Sequence, residues 1–118
     1  MEYEMIKLAN QLLQALIRQF ESVPRYWSMD KPHYEVDYLI QRGNDIFPIE
    51  VKCEGNVKSI GLKKFAEKYG DKVKLRIRFS MNNLKLDHDV LNIPMFMADY
   101  ADKLIRRYLR KKKYEERI

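Results

Sequence analysis

In YEMIKLANQLLQALIRQF, Met5, Ile6, Ala9, Leu12, Leu13, Leu16, Ile17 and Phe20 fall on one side of a helical wheel, which predicts an amphipathic helix over about residues 3–20. The period then shortens to two. PRYWS predicts a short strand, ended by Asp-Lys-Pro, and EVDYLIQRGNDIFPIEVK (Glu35 to Lys52) alternates on both sides of Gly43-Asn44. That pair is a two-residue hairpin signal, so a hairpin is expected over about residues 34–53. Ser59 as a cap, Leu62, Phe65, Ala66 and Tyr69 at helical spacing, and Gly70 as a stop predict a helix over about 59–69. In VKLRIRFS, Val73, Leu75, Ile77 and Phe79 alternate with Lys74, Arg76 and Arg78, the pattern of a half-buried strand. NNLKLDHD reads as a turn and VLNI as a short strand. Pro94 suits the first position of a final helix running to about residue 113. Met95, Met97, Tyr100, Leu104, Ile105 and Tyr108 would pack it against the domain or a partner chain. The order α-β-β-β-α-β-(β)-α is that of an α/β (α+β) domain on a mixed sheet.

A length of 118 residues suits one domain. No apolar run reaches the roughly 18 residues of a membrane span, and no leader pattern opens the chain. The single cysteine, Cys53, has no internal disulfide partner and reads as a small buried hydrophobe. A cytoplasmic protein without membrane contact is expected. The formal charge of +6 has one location: residues 103–118 carry eight basic side chains against Glu115 and Glu116, leaving residues 1–102 neutral overall. We therefore expect a core domain over 1–102 and a basic helical extension of it over 103–118. Such a run, including Arg106, Arg107, Arg110 and Lys111, either meets nucleic acid or is a solvated helix end. The sequence leaves a homo-oligomer open.

The hairpin spends strand positions on Glu35, Asp37, Glu50 and Lys52. If Gly43-Asn44 forms the turn, Ile40 faces Phe47, Tyr38 faces Ile49 and Val36 faces Val51 on one apolar face. On the other, Leu39 meets Pro48, Asp37 meets Glu50 and Glu35 meets Lys52. Facing carboxylates repel, and a divalent cation removes the conflict. Oxygen ligands suit Mg2+ or Mn2+. Such an ion lowers the pKa of a bound water, and the Lys52 ammonium could orient that water and offset phosphate charge. The bland alternative is a solvent-facing strand with a Glu35–Lys52 pair.

Several stretches carry a resemblance to a known family. RYWS, YEVDYLIQRGNDIFPIEVKCEGNVKSIGLKKFAEKY, LRIRFS and LNIPMFMA, over about residues 4–98, resemble the C-terminal domain appended to bacterial and archaeal AAA+-type ATPases, a module known as domain of unknown function 4143. The resemblance implies a restriction-endonuclease-like core of the PD-(D/E)XK superfamily, with a metal-dependent nuclease site at Asp37, Glu50 and Lys52. It implies that the Val51 carbonyl joins the metal shell. Superfamily members often add a first-helix glutamate; here the matching position is Met5, with Glu2 and Glu4 beside it. The chain's glycines form no phosphate-binding loop of the ATPase kind. The chain would thus be a detached C-terminal domain or a standalone descendant. Lys58, at a helix start, is a candidate phosphate contact alongside the basic tail. The expectations are two: Mg2+-dependent hydrolysis of nucleic acid, or a catalytically inactive nucleic-acid- or partner-binding appendage of an ATPase.

Overall fold

A computed structural model describes residues 2–20, 24–52 and 60–117. The elements are α1 (Glu2–Phe20), β1 (Arg25–Met29), β2 (Tyr34–Arg42), β3 (Asp45–Lys52), α2 (Ile60–Tyr69), β4 (Arg76–Ser80), β5 (Lys85–Asp87), β6 (Val90–Pro94) and α3 (Ala101–Arg117). One six-stranded sheet has the order β1-β2-β3-β4-β6-β5. The β3–β4 and β4–β6 pairs are parallel and the others antiparallel. The mixed α/β expectation holds.

Each face of the sheet has its own core. Leu12 and Leu16 of α1 and Leu104 and Ile105 of α3 close over Ile40, Phe47, Ile49, Ile77, Phe79, Leu91 and Ile93. Each such side chain, taken fully out of water, contributes roughly 1.5–3 kcal/mol. On the opposite face Leu62 and Phe65 of α2 cover Val36, with Leu39, Ile46 and Val90 packed beside them. Trp27 meets the Phe65 ring edge-on at 5.1 Å, and Phe65 lies 4.5 Å from Tyr69. Trp27 is thus a packing residue on an edge strand. Gly61 lets α2 approach closely: a Cβ there would stand 2.0 Å from the Glu35 carbonyl oxygen.

The hairpin closes at Gly43-Asn44, with Gly43 at φ +59°. Its register matches the turn-based expectation from Arg42↔Asp45 to Tyr38↔Ile49. Beyond that the expectation needs correction. Arg25 pairs with Leu39 and Trp27 with Val36, so β2 spends three residue steps where β1 spends two. This extra residue is a β-bulge at Asp37-Tyr38, and a bulge turns the residues beyond it to the other face. Val36 therefore joins the α2 core instead of the face of Tyr38 and Ile40. Glu35 is likewise drawn to the edge, where Tyr26 donates to its Oε2 at 2.6 Å, while Lys52 pairs with Glu50.

Two further differences follow from pairing. Lys85–Asp87, expected as turn, forms an edge strand because β6 offers it an open side; VLNI is an interior strand. Pro94 precedes a 3-10 helix, Met95–Tyr100, so α3 starts later, at Ala101, and runs on to Arg117. In that segment Met95, Leu104 and Ile105 are buried as expected, whereas Tyr100 is exposed. Pro48 is tolerated inside the sheet because the β3–β4 ladder begins only at Ile49.

Candidate metal centre

The site is assembled at the end of β3. Phe47 and Ile49 point into the α1/α3 core, so alternation turns Glu50 and Lys52 to the α2 face. Glu50 is 8% exposed. Its Oε1 lies 3.4 Å from Lys52 Nζ, and its buried Oε2 meets no hydrogen-bond partner among the described residues. A buried carboxylate oxygen left in that state is costly unless something positive completes it.

Asp37 reaches the β3 backbone beside Glu50 through the bulge. The β2–β3 ladder has already stopped at Tyr38↔Ile49, and the Val51 backbone N–H donates to Asp37 Oδ2 at 2.8 Å. The carboxylate is thereby fixed against the peptide between Glu50 and Lys52. A charge-assisted bond of this kind is stronger than a neutral one and holds the side chain in a single place.

Two residues not singled out as site residues in the sequence complete the polar layer. In register, Glu50 pairs with Arg78 of β4, and Arg78 with Asn92 of β6. These neighbours share the α2 face. Arg78 Nε donates to Asn92 Oδ1 at 3.1 Å, and the Ser80 hydroxyl donates to the same oxygen at 2.6 Å. The Asn92 amide nitrogen donates to the Asn82 and Asn83 carbonyls at 3.1 and 2.9 Å. A buried asparagine so fully bonded fixes the arginine that leans on it. The one local trace in the sequence is a lone polar residue in the apolar run VLNI; its alignment with Arg78 comes only from strand pairing.

The other candidates are dispersed. Glu4 is exposed on α1, and among the described residues no group of three His, Cys, Asp or Glu side chains could hold a metal. The Glu2 side chain, Cys53, Lys58 and Ser59 lie outside the described residues. Arg106, Arg107, Arg110 and Lys111 are exposed on α3, with Arg106 3.1 Å from Asp102. Helix α3 is tied down by Asp102, which pairs with Arg42, and by Lys112, which donates to the Lys74 carbonyl and Asp89. Those anchors lie where β3, β4 and β6 begin, whereas Glu50 and Lys52 stand where β3 ends. The tail and the Asp37–Glu50–Lys52 group are not brought together.

A family model described as Domain of unknown function (DUF4143) matches residues 8–96. The chain belongs to the DUF4143 family. The DUF4143 match takes in the whole sheet and α2, with Asp37, Glu50, Lys52, Arg78 and Asn92, and stops before α3. No curated protein and no solved structure matches the chain. Among the described residues, no helix is long and apolar enough to cross a membrane.

The donor set suits a hard divalent cation. It offers one carboxylate braced by a peptide N–H, one buried carboxylate with an oxygen to complete, and a backbone carbonyl between Glu50 and Lys52. Mg2+ and Mn2+ commonly accept one or two carboxylates and keep the rest of their shell for water and phosphate.

Proposed function

We propose that this DUF4143 domain is a metal-dependent nuclease-type domain that hydrolyses phosphodiester bonds in nucleic acid. The observation that carries the reading is the Asp37–Val51 bond, which holds one carboxylate against the backbone next to Glu50, whose own carboxylate is buried, incompletely partnered and paired with Lys52. Asp37, Glu50 and the Val51 carbonyl would hold Mg2+ or Mn2+, which supplies a water of lowered pKa and a counter-charge for phosphate. Lys52 donates to the attacking water or to a phosphate oxygen, and its ammonium opposes the charge that develops there. Arg78, held by Asn92 in line with Glu50, adds a second fixed cation on the phosphate side.

A hairpin with Asp on one strand and Glu-x-Lys on the next, followed by a helix and a parallel strand, supports a restriction-endonuclease-like PD-(D/E)XK core. The resemblance to an ATPase-appended domain supports an AAA+-type ATPase as the associated machine. A second reading, a binding appendage without catalysis, is favoured by the lack of a third carboxylate among the described residues.

The test is cleavage of linear and supercoiled DNA, and of RNA, with Mg2+ or Mn2+ present. The nuclease reading expects degradation by the wild type that Lys52→Ala and chelation both abolish. Degradation no faster than that of Lys52→Ala would leave the binding appendage.

A further inference from the structure

The chain's excess positive charge lies on α3, and helix geometry sorts it by direction. One side of α3 is spent on the core: Ala101, Leu104 and Ile105 are buried, with Tyr108 and Leu109 packed against them. At 3.6 residues per turn the opposite side presents Lys103, Arg106, Arg107, Arg110, Lys113 and Tyr114, all exposed. Both glutamates of the tail, Glu115 and Glu116, project to either side of this stripe. Nearby acids serve its margins: Asp102 takes Arg42 and Arg106, and Asp89 takes Lys112. Lys103, Arg107, Arg110 and Lys113 make no ion pair among the described residues.

The stripe faces away from the Asp37–Glu50 centre. It lies over the sheet face opposite the one that carries Glu50 and Lys52, and α3 is anchored where the parallel strands begin. From Asp45 to Glu50 the sheet alone separates the two ends by about 16 Å. A ligand on the stripe is therefore engaged at a different place from one at the carboxylates.

The kind of partner follows from what the stripe has and lacks. A lipid surface requires an apolar side free to insert, and α3 has committed its own to the core. A single strand favours a series of stacking rings, and the stripe offers Tyr114. What it does offer is a rigid row of cations, about 15 Å from Lys103 to Lys113 at 1.5 Å per residue. A double helix presents a matching row of phosphates. We infer that α3 is a docking surface for the phosphate backbone of duplex DNA, independent of the carboxylate centre and of any metal. It lies beyond the DUF4143-matched residues 8–96.

The experiment is fluorescence anisotropy of a labelled DNA duplex with the full chain, in chelator, over a salt series. Wild type binds, with log K falling linearly against log salt. The K103E/R107E/R110E variant weakens binding roughly tenfold or more at low salt and flattens the slope by about 0.9 for each phosphate it no longer neutralises. R107Q/R110Q, which removes charge without reversing it, gives a smaller reduction. Thermal melts establish that both remain folded, as expected for exposed positions. Lys7→Glu, which reverses an exposed cation on α1, binds close to wild type, whether or not the carboxylate centre cuts. The inference is overturned if the folded triple variant binds unchanged, or if Lys7→Glu alone weakens binding as far as the triple variant does. Competition by poly-glutamate equal to that by DNA of the same charge would overturn the assigned partner and point to an acidic protein.

Discussion

The Asp37 carboxylate accepts the Val51 backbone N–H at 2.8 Å, joining the bulged stretch of β2 to the strand that carries Glu50 and Lys52. This bond gives Asp37 a structural duty separate from any ligand. Asp37→Asn keeps an oxygen acceptor and should unfold in urea close to wild type. Asp37→Ala leaves a half-buried N–H without that acceptor and should cost about 1–3 kcal/mol at unchanged m-value. Equal stability of Ala and Asn variants would contradict the bracing role.

Gly61 marks the closest approach of α2 to the sheet. Since an added Cβ would stand 2.0 Å from the Glu35 carbonyl, Gly61→Ala must push α2 outward and loosen Leu62 and Phe65 over Val36. A destabilisation of about 2–4 kcal/mol in denaturant unfolding is expected, larger than for Gly70→Ala, which meets no clash and carries only the backbone strain of φ +42°. A neutral Gly61→Ala would show that α2 does not pack this way.

Asn92 accepts from Arg78 and Ser80 and donates to Asn82 and Asn83. Asn92→Ala removes the acceptor of the buried Ser80 O–H and of one guanidinium N–H at once, and should cost about 2–3 kcal/mol of stability. Arg78→Lys, which keeps charge but not the planar fork, should cost less stability while reducing cleavage. If Arg78→Lys cleaves at the wild-type rate, Arg78 has no place beside the phosphate.

At the sheet edge, the Tyr26 hydroxyl donating to Glu35 holds that carboxyl below its ordinary value, with His33 adding to the effect. The same bond holds the Tyr26 hydroxyl above its own ordinary value. A depressed carboxylate pKa favours the fold above the ordinary carboxylate range, and the advantage fades as pH falls through the depressed value. Tyr26→Phe should therefore move the Glu35 titration upward, followed by NMR of its side-chain carboxyl. An unmoved titration would mean that Tyr26 is not the partner in solution.

Periodicity located α1 and α2 because each buries one face against one core, and the two-residue turn set the register of the hairpin's closed half. The bulge was not legible: nothing in EVDYL distinguishes a bulged Asp37-Tyr38 from a regular alternation, since the extra residue is fixed by pairing with β1. Yet the bulge is what aims Asp37 at Val51. Arg78 and Asn92 were equally hidden, because their alignment with Glu50 depends on the parallel order β3-β4-β6, a long-range choice. The short strand Lys85–Asp87 exists only through its pairing with β6. The charged run was legible as charge, but its direction, away from the carboxylates, required the anchors at Arg42, Lys74 and Asp89.

The claim on which the functional account rests is that Asp37 and Glu50 together hold a divalent cation. Isothermal titration of Mn2+ into the metal-free chain tests it directly, with thermal melts of Asp37→Asn and Glu50→Gln as controls of retained fold. The account predicts saturable binding by the wild type, a Tm that rises with Mn2+, and the disappearance of both in each variant. Absence of saturable binding in the wild type, or binding that survives both substitutions, would contradict it.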